Sequence, residues 1–325
     1  MMEVAVAAIL FLVGIALIVK GGDAFVDAAS WIAEVSGIPK LIVGATIVSV
    51  ATTIPEMLVS VMAAAQEKVD MSVGNAVGSV TANLGLIMAI SVLCIPSVIR
   101  RADYLLKSVL MLCAAGVIVL GGVNGEITAP LSAVLILIFF IFLIENVRAA
   151  KRTMALDAAS GRGAERPKVT RKLIGVNAAK FVLGTVGIVI GAQLLVDNGS
   201  ALARFVGVSE RIIGVTLVAV GTSLPELVTT ITAVVKKQSD LSVGNIIGAN
   251  IIDLSLILPV SALVSGKALP ISAASGWLDL PACLLVGVIA VVPALLFSKF
   301  QRWQGVLLLV IYAGYVFLTC SYGGL

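Results

Sequence analysis

Long apolar runs, separated by short polar stretches, cover almost the whole chain. An α-helix needs about 20 apolar residues to cross a bilayer, and ten runs are of that length. They predict membrane-spanning helices over residues 4–33, 41–66, 71–95, 104–122, 128–147, 173–205, 211–235, 241–264, 277–297 and 303–321. The pattern therefore predicts an all-α polytopic membrane protein with ten transmembrane helices.

The ten predicted helices fall into two groups of five. Residues 1–147 hold the first group and residues 173–325 the second. Between them, residues 148–172 mix charges, glycine and proline without periodicity, which is typical of a linker. We expect two five-helix repeats joined by a cytoplasmic linker.

The two groups share an internal duplication. Residues 44–87 match residues 214–257 without a gap. Because each group has an odd number of helices, the two copies have opposite orientations across the bilayer, which is the inverted-repeat plan of secondary transporters. The polar and conformationally special residues that recur are Thr52, Pro55, Glu56, Asp70, Gly74, Asn75 and Gly78, which return as Thr222, Pro225, Glu226, Asp240, Gly244, Asn245 and Gly248.

Composition and charge add a location and an orientation. Hydrophobic residues make up 60% of the chain and charged residues 12%, with a mean hydropathy of +1.14, values outside the range of soluble domains. With the N-terminus outside, the inner loops hold 16 basic residues and the outer loops four. The excess of basic residues inside predicts a protein of the plasma (inner) membrane with both termini outside. The first apolar run lacks a basic flank and a cleavage site, so we expect a retained helix.

The composition also excludes several functions. The chain has no histidine, so HExxH zinc chemistry and a Ser-His-Asp triad are impossible. No glycine-rich phosphate loop with a lysine is present. We therefore expect no enzyme, no cofactor and no nucleic-acid partner, and we expect the chain to act as a monomer in the lipid bilayer.

Each copy of the duplication places a proline directly before a glutamate inside a predicted helix. Pro55 and Pro225 each remove one backbone hydrogen bond and displace the carbonyl four residues earlier. In hydrocarbon, a freed carbonyl is tolerated only where a partner or a water-filled cavity receives it. Carbonyls, hydroxyls and a carboxylate then lie within one turn, an oxygen-only ligand set that suits Ca²⁺ and Na⁺. The side chains concerned are Thr52, Thr53 and Glu56 in the first copy, and Thr222, Ser223 and Glu226 in the second.

The next predicted helix of each copy adds more polar groups, with Ser79 and Asn83 in the first and Asp253 in the second. A charged residue at the centre of a membrane helix costs about 2.5–3.5 kcal/mol, so three acids would cost roughly 8–10 kcal/mol. That cost is comparable with a typical net stability of about 5–15 kcal/mol. Buried, protonated and hydrogen-bonded acids are the alternative. A symmetric pair of acids beside broken helices favours ion binding.

The motifs ATTIPEMLVS with GNAVGSVTAN, and GTSLPELVTT with GNIIGANIID, resemble the two alpha-repeats of the calcium/cation antiporter superfamily. The resemblance is closest to its sodium/calcium exchanger branch, in the prokaryotic form without a large regulatory loop. It implies a core of the second, third, seventh and eighth helices, against which the first and sixth slide.

The resemblance also implies roles for individual residues. Glu56 and Glu226, with the carbonyls of Thr52 and Thr222, would hold Ca²⁺. The same glutamates would share flanking Na⁺ sites with Thr53, Ser79, Ser223 and the carbonyls of Ser49 and Ala219, and Asn83 and Asp253 would complete the central polar position. One position departs from the family pattern, since Ala249 replaces a serine and leaves one Na⁺ site without a ligand. This departure puts the usual count of three Na⁺ per Ca²⁺ in doubt.

The sequence thus predicts an antiporter that exchanges Na⁺ for Ca²⁺ by alternating access. Exchange of H⁺ for Ca²⁺ stays open, because carboxylates alone can carry protons. Potassium-dependent Na⁺/Ca²⁺ exchange also stays open, because Asp253 resembles the acid of that branch. A passive channel is less favoured, since two inverted copies suit alternating access better than a symmetric pore.

Overall fold

The computed structural model describes residues 2–94, 101–159, 169–207 and 221–322, and these residues form ten helices. Nine of the helices in these ranges are long and apolar enough to cross a membrane, and α7 is a shorter apolar helix. The helices are α1 (Met2–Ser36), α2 (Lys40–Ala65), α3 (Val69–Cys94), α4 (Arg101–Asn124), α5 (Ala129–Ala159), α6 (Arg171–Phe205), α7 (Leu224–Val235), α8 (Ser239–Ser265), α9 (Ser275–Phe297) and α10 (Arg302–Tyr322). The prediction of a polytopic helical protein is confirmed.

The first and sixth helices pack against each other through glycines. A Cβ atom at Gly14 would lie 2.9 Å from the carbonyl oxygen of Gly191, and one at Gly21 would lie 2.9 Å from that of Gly184. Small residues at such crossings let two helix backbones approach closely. Because residue 14 meets residue 191 and residue 21 meets residue 184, α1 and α6 run antiparallel.

The helices α2 and α8 run parallel to each other at the centre of the fold. Gly244 packs on the carbonyl of Leu41, and Gly248 packs on that of Ala45 one turn further along both helices. The short turn between α7 and α8 makes those two helices antiparallel. Therefore α7 runs opposite to α2, its counterpart in the duplication, and the two repeats are inverted. The most buried long helices in the described ranges are α3 and α8, with 72% and 78% of their apolar windows buried.

A pair of two-residue strands links the two repeats at one end. The strand β1 (Glu126–Ile127), between α4 and α5, pairs antiparallel with β2 (Leu269–Pro270), between α8 and α9. The apolar pattern did not predict this pair, because strands this short have no periodicity.

Helix boundaries differ from the predicted ones at two places. The helix α5 continues to Ala159, past the predicted end at residue 147, so part of the expected linker is helical, and residues 160–168 lie outside the described ranges. Pro225 was expected inside a continuous helix over residues 211–235, of which residues 211–220 lie outside the described ranges. The described chain makes a turn at Thr222 and Ser223, and Pro225 lies in the first turn of α7, where a proline costs no helical hydrogen bond. Pro55 lies inside its helix as predicted.

Within the described ranges, four helices contain a π-helical turn. These turns cover Gly44–Val48 in α2, Asn83–Met88 in α3, Asp253–Ile257 in α8 and Ser275–Asp279 at the start of α9. The turns in α3 and α8 begin at the repeat-related residues Asn83 and Asp253. Turns of this kind redirect backbone groups and occur frequently at functional sites.

Candidate ion-binding site

Three acidic side chains from three helices are buried in the interior. Glu56 comes from α2, Glu226 from the first turn of α7, and Asp253 from the π-helical turn of α8. Each is at most 1% exposed. The carboxyl groups of Glu56, Glu226 and Asp253 are near enough to interact electrostatically. The duplication therefore brings its two glutamates together, as the sequence predicts.

Most oxygen atoms of this cluster have no hydrogen-bond donor. Buried polar groups in proteins are nearly always hydrogen-bonded, so a group of unpartnered oxygens indicates a missing partner. A hard cation fits this arrangement, because it takes carboxylate, hydroxyl and amide oxygens as ligands. In the described part of the chain, the buried oxygens without a partner include both of Glu56, both of Asp253, Oε2 of Glu226, Oδ1 of Asn83, and the hydroxyls of Ser79 and Ser223.

The hydroxyls of the first motif connect the two repeats. The Thr53 hydroxyl donates to Oε1 of Glu226 at 3.3 Å. The Thr52 hydroxyl lies 3.2 Å from Oδ1 of Asn245 and 3.3 Å from the carbonyl oxygen of Ser49, and it donates to one of them. Both threonines are 2% exposed. The motif of α2 thus contacts α7 and α8, the helices of the opposite repeat.

Two asparagines that the sequence analysis left without a role orient the motif. Asn75 donates from Nδ2 to the carbonyl oxygen of Glu56 at 3.2 Å and to the Ser60 hydroxyl at 2.9 Å. Asn245, its repeat counterpart, donates to the Thr229 hydroxyl at 3.0 Å. In the sequence, the recurrence of a Gly-Asn pair in both copies of the duplication could have indicated a role for these two asparagines.

The remaining predicted site residues differ in their placement. Ser49 is fully buried, and its hydroxyl lies 3.2 Å from the carbonyl oxygen of Thr46. Thr222 is partly buried in the turn before α7. Ala219 lies outside the described residues.

Acidic groups alone do not form a compact metal site here. Within the four described ranges, no three His, Cys, Asp or Glu side chains are close enough together to hold a metal ion. An ion at the centre would therefore need hydroxyl, amide and carbonyl ligands as well as carboxylates. This requirement suits Ca²⁺ and Na⁺, which bind mixed oxygen sets.

A cavity lies beside the start of α7, and an ion pair joins α7 to α1 at its other end. The cavity has a volume of 430 Å³ and extends from Asp197 on α6 to Thr222 and Pro225 at the start of α7. At the far end of α7, the Lys236 ammonium lies 2.7 Å from Oδ1 of Asp27 on α1. The cavity thus borders both Pro-Glu motifs at Pro55 and Pro225, and Lys236 holds α1 to the opposite end of α7.

Comparisons with known proteins agree with this architecture. A family model described as "Sodium/calcium exchanger protein" matches residues 6–147 and 176–321. The inner membrane protein YrbG of Escherichia coli (strain K12) is 34% identical over 87% of each chain. The sodium/calcium exchanger MaX1 of Methanosarcina acetivorans is 29% identical over 95% of this chain and 97% of the relative.

A solved structure of the sodium-calcium exchanger NCX_Mj has the same fold. It superposes with a TM-score of 0.78 at 26% identity, and the match covers 98% of this chain and 99% of that one. The family model, which covers most of the chain, confirms the resemblance on which the sequence analysis relied. The chain belongs to the sodium/calcium exchanger protein family of membrane transporters.

Proposed function

We propose that the chain is a secondary antiporter that exchanges Na⁺ for Ca²⁺ by alternating access. The observation that carries this proposal is the cluster of buried, unpartnered oxygens where the two inverted repeats meet. The relatives MaX1 and NCX_Mj, both named sodium/calcium exchangers, support the choice of ions.

The ligands of each ion are those that the resemblance to the exchanger family implies, and the buried, unpartnered oxygens of Glu56, Asn83 and Asp253 support them. Ca²⁺ binds between the carboxylates of Glu56 and Glu226, with the carbonyls of Thr52 and Thr222. Asn83 and Asp253 complete the central position. Na⁺ binds on either side, sharing the glutamates with Thr53, Ser79, Ser223 and the carbonyls of Ser49 and Ala219.

Shared carboxylates couple the two ions. Glu56, Glu226 and Asp253 together carry three negative charges when ionised, which three Na⁺ neutralise. Ca²⁺ neutralises two of the charges, and a proton on Asp253 would remove the third. An empty site would leave three uncompensated charges in a low-dielectric interior, a costly state. The empty protein therefore changes conformation slowly, and exchange is favoured over leakage.

Alternating access uses the helix pair α1 and α6. We place the protein in the inner membrane with both termini outside, which the excess of basic residues in the inner loops supports. In this orientation, the cavity beside the C-terminal half of α6 opens outward, and Lys236 lies on the cytoplasmic side. The structure then corresponds to an outward-facing state, with Lys236 and Asp27 holding α1 against α7 on the inside.

The test is ⁴⁵Ca²⁺ uptake into proteoliposomes that contain the wild-type protein. We expect uphill Ca²⁺ accumulation when a Na⁺ gradient is applied, and none with a K⁺ or pH gradient alone. Accumulation driven by a pH gradient would indicate H⁺/Ca²⁺ exchange, and a requirement for K⁺ would indicate potassium-dependent exchange. Downhill flux without accumulation would indicate a channel and contradict the proposal.

A further inference from the structure

Three side chains from three helices form a hydrogen-bonded chain beside the acidic cluster. The Asn83 amide on α3 donates from Nδ2 to Oδ1 of Asn250 on α8 at 3.0 Å. The Asn250 amide in turn donates from Nδ2 to the sulfur of Met111 on α4 at 3.7 Å. All three side chains are at most 1% exposed, so water does not compete for these contacts. The sequence motifs gave no role to Asn250 or Met111.

The chemistry of the last member sets the direction of the chain. A thioether sulfur only accepts hydrogen bonds, so Met111 selects the NH₂ group of Asn250. The Asn250 oxygen therefore faces Asn83 and selects the NH₂ group of Asn83. The oxygen of Asn83 is left over, buried and without a partner in the described part of the chain. An amide oxygen in this state is a ligand that Ca²⁺ or Na⁺ accepts.

The position of the chain relates it to the ion site. Asn83 and Asp253 occupy equivalent positions in the two repeats, and each begins a π-helical turn. Asn250 lies three residues before Asp253 on α8, so both side chains point from one face of the helix. Val80 occupies the position equivalent to Asn250 in the first repeat and offers no hydrogen bond. The hydrogen-bonded chain therefore orients Asn83, and Val80 cannot orient Asp253 in the same way.

We propose that Asn250 and Met111 are positioning residues, which hold the Asn83 amide with its oxygen toward the transported cation. This inference rests on the proposed function, because it needs a cation at the acidic cluster. Without Asn250, the side-chain amide of Asn83 can rotate and present its NH₂ group to the cation. The cation then loses one ligand and meets a positive dipole in its place.

The test is equilibrium binding of ⁴⁵Ca²⁺ to the purified full-length protein in detergent. We expect Asn250→Leu to raise the Kd for Ca²⁺ by about two- to tenfold, the range that the net worth of one hydrogen bond gives. Asn83→Ala should have a similar effect, and the double variant should bind no more weakly than Asn83→Ala alone. Non-additivity of this kind distinguishes a residue that acts through Asn83 from one that only supports the fold.

A milder variant keeps the test valid if Asn250→Leu does not fold. Met111→Leu conserves volume and removes only the sulfur acceptor, and we expect it to raise the Kd by about twofold, toward the lower limit for one hydrogen bond. Met88→Leu, at a methionine of α3 that is 1% exposed and belongs to the apolar core, is the matched control and should bind like the wild type.

The outcomes separate this inference from the proposed function. An unchanged Kd in both Asn250→Leu and Met111→Leu, or additive effects in the double variant, would overturn the positioning role while wild-type binding stands. Failure of the wild-type protein to bind Ca²⁺ would overturn both proposals.

Discussion

A close contact between the two repeats lies at Gly248, in the helix that carries Asp253, and Gly248→Ala tests its importance. A Cβ atom there would lie 2.5 Å from both the carbonyl oxygen of Ala45 and the hydroxyl oxygen of Ser49. Ordinary contact begins at 3.4 Å, so α2 and α8 would have to separate by about 0.9 Å. Gly244, one turn away, packs still more tightly on the carbonyl of Leu41, so the helices cannot relax by tilting.

The shift is large compared with the tolerance of an ion site. Distances from Ca²⁺ to oxygen fall between about 2.3 and 2.6 Å, so a movement of about 0.9 Å removes at least one ligand. Overpacking of this kind also costs about 1–3 kcal/mol of stability. We therefore expect Gly248→Ala to unfold at lower temperature and to bind Ca²⁺ at least about tenfold more weakly, a change of about 1.4 kcal/mol.

The assay is thermal unfolding in detergent together with ⁴⁵Ca²⁺ binding. Gly116→Ala on α4 is the matched control, because no heavy atom of the described ranges lies within 4 Å of its added Cβ. This control should bind Ca²⁺ normally and should be as stable as the wild type or slightly more so, since alanine is favoured over glycine inside a helix. If Gly248→Ala matched Gly116→Ala in both measurements, the close contact of α2 and α8 would not support the site.

Three further variants test single contacts. Thr53→Val removes the hydroxyl that donates to Glu226, and a hydrogen bond to a charged group is worth about 1.5–3 kcal/mol. The Na⁺ concentration that half-saturates exchange should therefore rise at least about tenfold, and an unchanged Na⁺ dependence would contradict the contact. Lys236→Gln removes ion pairs with Asp23 and Asp27, whose side chains are 49% and 50% exposed. Unfolding should become easier by at most about 1 kcal/mol for each pair, with less effect at high salt, and a larger loss would show that the pairs are not screened. Ala249→Ser supplies the hydroxyl that the first repeat has at Ser79, so the Na⁺ dependence of flux should become steeper; an unchanged slope would mean that the Na⁺ sites do not depend on this position.

The sequence alone predicted the membrane-spanning fold, because the apolar runs and the duplication are strong, local signals. It also predicted that Glu56 and Glu226 converge, because an inverted duplication with its functional residues at the interface requires it. Both glutamates are buried, and Thr53, three residues before Glu56, donates a hydrogen bond to Glu226, as such convergence requires.

The features that the sequence did not predict depend on contacts between distant helices. Asn245 was visible as a recurring residue, but its contact with Thr52 depends on how α2 and α8 pack. Met111 looks like any apolar residue of a membrane helix, and only the fold places its sulfur at Asn250. The turn before Pro225 was not predicted because the two copies of the motif have the same sequence pattern. Only Pro55 lies inside its helix, whereas Pro225 lies in the first turn of α7.

The central claim is that Glu56 and Glu226 together bind the exchanged ions, and Na⁺-gradient-driven ⁴⁵Ca²⁺ flux in three variants tests it most directly. Glu56→Gln and Glu226→Gln should each abolish the flux, because each removes a charge that both ions need. Glu67→Gln, at an acid whose side chain is 79% exposed, should transport like the wild type. Persistent flux in both of the first two variants, with purified protein shown to be folded, would contradict the account.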